Sequence, residues 1–331
     1  ALHRQRPELR FVLITAAPEW FFRDSLSAPF ELLPEAVDVG LIQTTATEED
    51  LDATVRALGA VYPPADGRIE ELGRLLRDHG CDAVVADIAP LGIVAGRRAG
   101  LPTALVENFT WDWIYAGYVS ACPGFAPHVE HTAELRAEVD LHIQTTPVCN
   151  PVPGALRVGA LARRPRQDRE ATRHTLAVGG AERLVLVSMG GVGVRFDFAD
   201  RLAGRPERFL LVGDAPGQWP ENVITLPQRS GHHHADLVMA ADVLVGKLGY
   251  STVAEAWRSG VDWLWVDRPA FRESAVLAAH VRRHHRSRRL PPGALATGDW
   301  VEELSRLSGP RPPNTFVDGS PAAAEAVLRL L

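Results

Sequence analysis

The stretch "VLVGKLGYSTVAEAWRSGV", residues 243–261, decides how this chain is read. The apolar run over 241–246 has the length and β-branched content of a buried strand. A turn over 247–250 follows, and from about Ser251 the positions Val253 and Trp257 recur at helical spacing, able to pack on a sheet. A helix start carries free backbone N–H groups and the positive end of the peptide dipole, which suit a phosphate or pyrophosphate. Gly246 and Gly249 would let the backbone come close to it, and Lys247 adds a charge whose direction the sequence leaves open. Ser251 and Glu255 are four apart and share one helical face. A carboxylate one turn into such a helix can accept from the two vicinal hydroxyls of a ribose. An ordinary strand, turn and helix with Ser251 as cap satisfies the same spacing. The stretch is neither the dinucleotide fingerprint nor a P-loop.

The same alternation of short apolar runs and helical patterns extends in both directions. Before it come "LRFVLITA" (9–16), "AVDVGLI" (36–42), "DAVVADI" (82–88), "PTALVE" (102–107), "VDLHIQ" (139–144), "ERLVLVSMGG" (182–191), "RFLLVG" (208–213) and "NVITL" (222–226). "VDWLWVD" (261–267) comes after it. Repeated strand–helix units give an α/β class with parallel sheets. The proline-rich "PVCNPVPGALRVGALARRP" (147–165) lacks periodicity and divides the chain. The expected organisation is a first α/β domain over 1–150, a linker over 151–164, a second α/β domain over 165–318, and a terminal helix over 319–331 packing back on the first domain. Parallel sheets bind ligands beyond the carboxyl ends of their strands, so two of them facing each other make a cleft.

Composition narrows the function. With 331 residues, 46% hydrophobic and 23% charged, the chain has the make-up of a two-domain globular protein. A formal charge of -6 argues against nucleic acid as a partner. No run approaches the roughly 18 apolar residues of a spanning helix. Three widely spaced cysteines, Cys81, Cys122 and Cys149, fit reduced thiols and a cytoplasmic setting. The triplet His232, His233 and His234 has no partners at ligand spacing, so a polar loop is expected and no metal site. "RRHHRSRR" (282–289) reads as a solvated basic helix end, and Asp50 and Asp52 as part of an exposed acidic helix face. There is no G-x-S-x-G elbow.

Other strand ends supply further candidates. "SMGGVG" (188–193) and "VDRPAFRES" (266–274) offer a glycine turn and the pair Arg272 and Glu273, each with an ordinary structural alternative. In the first half Asp87 ends a strand, and "VENFTWDWIYAGY" (106–118) sets Glu107, Asn108, Asp112 and Tyr115 among aromatics. Carboxylates there can bond sugar hydroxyls or remove a proton, and aromatic faces can stack on a sugar ring. Trp111, Trp113 and Tyr115 can equally pack a buried helix.

Two blocks, "VVADIAPLGIVAGRRAGLPTALVENFTWDWIYAGY" (84–118) and "ADVLVGKLGYSTVAEAWRSGVDWLWVDRPAFRESAVL" (241–277), resemble the glycosyltransferase-like proteins related to the amino-terminal region of plant L-arabinokinases, within the GT-B superfamily. More distantly the chain is similar to macrolide and UDP-sugar glycosyltransferases and to the peptidoglycan N-acetylglucosaminyltransferase. The resemblance implies two Rossmann-like domains, a nucleoside-diphosphate-sugar donor on the second, a small-molecule acceptor on the first, and no cofactor. It implies Gly190 and Gly191 beside the donor phosphates, Gly249, Ser251 and Thr252 at the diphosphate, Glu255 at the ribose, and Arg272 and Glu273 at the donor sugar. Glu107, Trp111 and Tyr115 are then expected at the acceptor, with Asp87 and Asp112 as candidate bases. Family members open with a strand and a glycine- and histidine-rich turn. This chain starts near the end of the helix that follows, so a central first strand of the first sheet is expected to be missing from it. The expected activity is metal-independent sugar transfer. A noncatalytic sugar or nucleotide-sugar sensor, or a nucleotide-sugar epimerase, are the alternatives.

Overall fold

The computed structural model describes residues 1–45, 48–189, 198–213, 215–227, 229–291, 293–307 and 309–331. Among them are β1 (Phe11–Ile14), β2 (Phe30–Leu33), β3 (Val84–Asp87), β4 (Thr103–Glu107), β5 (Leu141–Thr145) and β6 (Leu156–Val158) in the first half. The second half holds β7 (Leu184–Ser188), β8 (Arg208–Val212), β9 (Val223–Leu226), β10 (Val243–Lys247), β11 (Asp262–Val266) and β12 (Ser287–Arg289). Every pair of these strands runs parallel.

The second sheet has the order β12-β11-β10-β7-β8-β9. Its central strands are runs of Val and Leu because helices cover both faces and neither side can be polar. Alternation still sorts them: Trp263 and Trp265 of β11 pack on one face, and Leu264 on the other.

The first half is divided. β3-β4-β5-β6 form one sheet, while β1 and β2 pair only with each other. A cavity of about 1020 Å³ lies between, lined by all four residues of β1 and all four of β3. Among the described residues each of these strands has one unpaired edge on the cavity.

Three local expectations change. Residues 36–42 form no strand: Gly40 is left-handed at φ 68° and its backbone passes against the Trp111 ring, which breaks the extended run. The second strand is instead the unremarked "FELL" of β2. Within the expected linker, 156–158 pair with β5 as the edge strand β6. The basic helix end stops at His284, and Ser287–Arg289 become the edge strand β12. Arg282 and Arg283 stay exposed on the last turn, as expected of a solvated basic end, while Arg286 pairs with Asp262, Arg288 with Glu303 and Arg289 with Asp267.

The chain crosses between the sheets twice, and the crossings meet at a backbone bridge from Ala160 to Asp318. Beyond the second crossing, the helix Ser320–Leu328 buries Ala323 and Val327 against Ala104, Ile143 and Val158 of the first sheet.

Candidate functional site

In the second sheet β7 leads outward to β8 and β9, and the chain then returns to lay β10 on the other side of β7. The carboxyl end between β7 and β10 is therefore the switch point, where the connections diverge and leave a crevice. The two strands approach closely: a Cβ on Gly246 would stand 2.2 Å from the carbonyl oxygen of Ser188, so only glycine fits. Beyond β10 the helix Tyr250–Ser259 begins at Gly249, which has no side chain to cap it. Its first-turn N–H groups are thus available at the crevice. Ser251 is exposed and Thr252 half-buried on that first turn.

Glu255 lies one turn in, and its side chain is only 1% exposed. Arg163 Nε donates to Oε1, and His234 Nδ1 lies 2.7 Å from Oε2. The other ring nitrogen of His234 is 3.1 Å from Ser188 Oγ, so a polar chain runs from Glu255 back to the end of β7. Burial alone would push the Glu255 carboxyl up, but the His234 bond and the Arg163 charge outweigh it and hold the group below its ordinary range. His234 belongs to the triplet expected as a polar loop. That expectation is corrected for His234, because the helix His234–Ala240 aims it at Glu255, whereas His233 links backbone carbonyls of Asp24 and Arg164. Among the described residues no group of His, Cys, Asp and Glu has the geometry to hold a metal.

Across the crevice the halves touch through polar groups. Arg268 pairs with Glu49 at 2.5 Å, Arg272 donates to the Trp113 carbonyl at 2.8 Å, and Asn108 donates to Glu273 Oε1 at 2.7 Å. Arg272 and Glu273 thus both contact the first half; Glu273 is buried, which corrects the solvated reading for it, while Arg272 stays exposed at the helix start. The Glu49 side chain is buried and Asp50 caps the helix Leu51–Val61 through Ala53 N, so of that acidic run Glu48 and Asp52 are exposed. Burial, with the Arg268 charge, lowers the pKa of Lys247 against the pull of Glu273 and Glu49.

Burial pushes the Glu273 carboxyl up from 4.5 to about 7, against the Asn108 bond and the charges of Arg268 and Lys247. Between those two values the folded protein holds a proton that the unfolded chain releases. Stability contributed here is therefore lost as pH rises from about 4.5 to about 7, and is level beyond. Unfolding by urea across that window should show a loss on the order of 3 kcal/mol in the native protein, absent from Glu273→Gln.

The first-half candidates separate. Asp112, a candidate base, is already engaged: both its oxygens accept from Arg136 at 3.1 Å. Glu107, expected at the acceptor, is buried in the sheet with Oε1 bonded by His142 and Gln144, each at 2.7 Å, and its Oε2 has no partner among the described residues. Tyr115 is fully buried, stacks on Trp111 at 5.3 Å and donates to the Gly40 carbonyl, while Trp111 donates to Asp38. The buried-helix alternative for these two aromatics is what the packing supports. Asp87 differs from all of them. It ends β3 at the slot, is exposed there, no described group donates to it, and desolvation by the surrounding protein atoms raises its carboxyl. Asp38 lines the same slot and was not singled out in the sequence. Burial pushes it up to about 6, opposed by the Trp111, Val39 and Gly40 bonds and assisted by the Asp87 charge. Gly190 and Gly191 lie outside the described residues.

Parallel sheets in two halves, with a crevice at the switch point of the second, are the GT-B glycosyltransferase fold, and this chain has it. No family model matches the chain. It is 26% identical over 309 residues to the L-arabinokinase of Arabidopsis thaliana, a match covering 91% of this chain and 29% of that protein. The chain therefore spans less than a third of the length of this curated relative. Among solved structures it is similar to UGT71G1 of Medicago truncatula complexed with UDP-glucose, at 11% identity over 99% of this chain and 88% of that one, TM-score 0.60. It is also similar to a UDP-glucosyltransferase from Polygonum tinctorium (15%, 97% and 91%, TM-score 0.59) and to the calicheamicin glycosyltransferase CalG4 (18%, 98% and 87%, TM-score 0.56). At these identities the likeness establishes the fold.

Proposed function

We propose that the chain is a glycosyltransferase that binds a nucleoside-diphosphate sugar at the Tyr250 helix start and passes the sugar to a hydroxyl or amine of a small molecule. The observation that carries this reading is the uncapped helix at the switch point with a buried, ionised Glu255 one turn in. The N–H groups around Gly249, Ser251 and Thr252 would receive the diphosphate, and Glu255 the ribose hydroxyls. Structures of the same fold named as acting on or holding UDP-glucose support the donor class.

In the transfer, the bond from the anomeric carbon to the diphosphate breaks and one from that carbon to the acceptor forms. The charge left on the diphosphate would meet the helix terminus and Lys247, without a metal. The acceptor proton would go to Asp87, a carboxylate at a strand end to which no described group donates and whose pKa burial raises. Arg272 and Glu273 would turn from their interface contacts to the donor sugar. The free cysteines are consistent with a cytoplasmic setting, and no described helix is long and apolar enough to cross a membrane.

A ligand that binds only the folded state raises its melting temperature, so a screen of UDP, GDP and TDP with their sugars should find one that does. A single turnover with the labelled donor should then move label to an acceptor. If none of these ligands shifts the melting temperature, the reading fails. Binding without transfer or hydrolysis would leave a sensor, and isomerised donor an epimerase.

A further inference from the structure

Arg163 lies on the crossing between β6 and β7, and its guanidinium covers the one carboxylate oxygen of Glu255 that His234 does not hold. The geometry restricts what can happen at this group. Oε2 is fixed through His234, which Ser188 fixes in turn, whereas Arg163 is itself 30% exposed and free to withdraw. With Glu255 only 1% exposed, no ligand hydroxyl reaches Oε1 while the guanidinium stays. The neighbours of Arg163 are tied to the same helix and to the second crossing: Leu161 N donates to Tyr250 Oη at 3.0 Å, and Arg164 pairs with Asp318 at 2.7 Å.

We propose that Arg163 sets the affinity and the sugar specificity of the nucleotide site: it is the counter-ion of Glu255 in the empty site, and the vicinal hydroxyls of a ribose displace it. This rests on the nucleotide reading above. Every ribonucleotide must break the Arg163 pair before Glu255 can bind it, so the strength of the pair is subtracted from the affinity. A nucleotide without vicinal hydroxyls has nothing to exchange for the guanidinium and leaves it in place. Occupancy is thereby linked to the crossing segment, since release of Arg163 frees one of the ties that hold 159–166 to the second half.

Calorimetric titration of UDP and GDP, and of their 2′,3′-dideoxy forms, into the native protein, Arg163→Ala and Arg163→Met tests this. Methionine keeps an apolar stem over Glu255 and guards against a variant that folds poorly. The expected result is that both variants bind the ribonucleotide more tightly by roughly tenfold, the equivalent of one partly exposed ion pair, while the dideoxy forms bind all three proteins alike. In the native protein, UDP or GDP at saturation should speed amide hydrogen exchange over 159–166. If the native protein binds a ribonucleotide and neither variant binds it more tightly, the pair is only a staple, and the inference falls while the proposed function stands. If UDP and GDP bind none of the three proteins, the inference falls, and the proposed function falls with it unless TDP binds.

Discussion

Glu255→Gln is expected to weaken nucleotide binding by about 10- to 100-fold, the loss of one or two charge-assisted hydrogen bonds. The amide keeps the shape of the side chain but replaces one acceptor oxygen by a donor and removes the charge that two ribose hydroxyls would share. Glu255→Ala carries a second effect. Arg163 and His234 both point at the carboxylate, and removing it leaves two basic groups facing each other over a cavity. Losing one member of a buried ion pair costs about 3–5 kcal/mol. Because Arg163 is 30% exposed, the lower part of that range or less is expected here. Calorimetry of nucleotide binding and urea unfolding, measured on both variants, separate the two effects. An unchanged dissociation constant in Glu255→Gln would remove this residue from the site.

The pair of Glu49 and Arg268 should have the largest effect on how the halves stay together. Their side chains are 3% and 9% exposed, and the guanidinium also lies 4.1 Å over the Phe271 ring. Glu49→Ala leaves Arg268 buried without its anion, and a loss of about 3–5 kcal/mol in unfolding free energy is expected. The double variant Glu49→Met, Arg268→Met should recover much of it, since an apolar pair of similar volume needs no desolvation. A transferase must also exclude water from the donor. The single variant should therefore raise the share of donor lost to hydrolysis relative to transfer. If Glu49→Ala unfolds like the native protein, the contact is not part of what closes the crevice.

Legibility of the chain varied with the range of the interaction that sets each feature. The strands of the second sheet were all visible except β12, because a run such as "LVLVS" must be buried on both faces whatever surrounds it. By contrast "AVDVGLI" has strand composition and makes no strand, since a left-handed Gly40 against Trp111 is a contact between residues far apart in sequence. The edge strand "SRR" has no apolar signal, and its arginines find carboxylates on other elements. Site residues divide in the same way. Gly246, Gly249 and Glu255 share one local unit, and their spacing put them together. His234, Arg163 and Asp38 come from a loop-like triplet, a linker and a presumed strand, and their roles arise from distant partners.

From the sequence alone follow the α/β class, the parallel strands, the division into two halves and the strand-to-helix turn able to receive an anion, because each depends on periodicity and backbone chemistry within a few residues. The tertiary structure alone decided that Glu255 is sealed beneath Arg163, that Asp112 is paired with Arg136 and Glu107 buried in the sheet, and that Arg272 and Glu273 bridge the halves. Those facts depend on which charges burial brings within hydrogen-bond reach, and a carboxylate is available to a ligand only where no closer cation or amide has already claimed it.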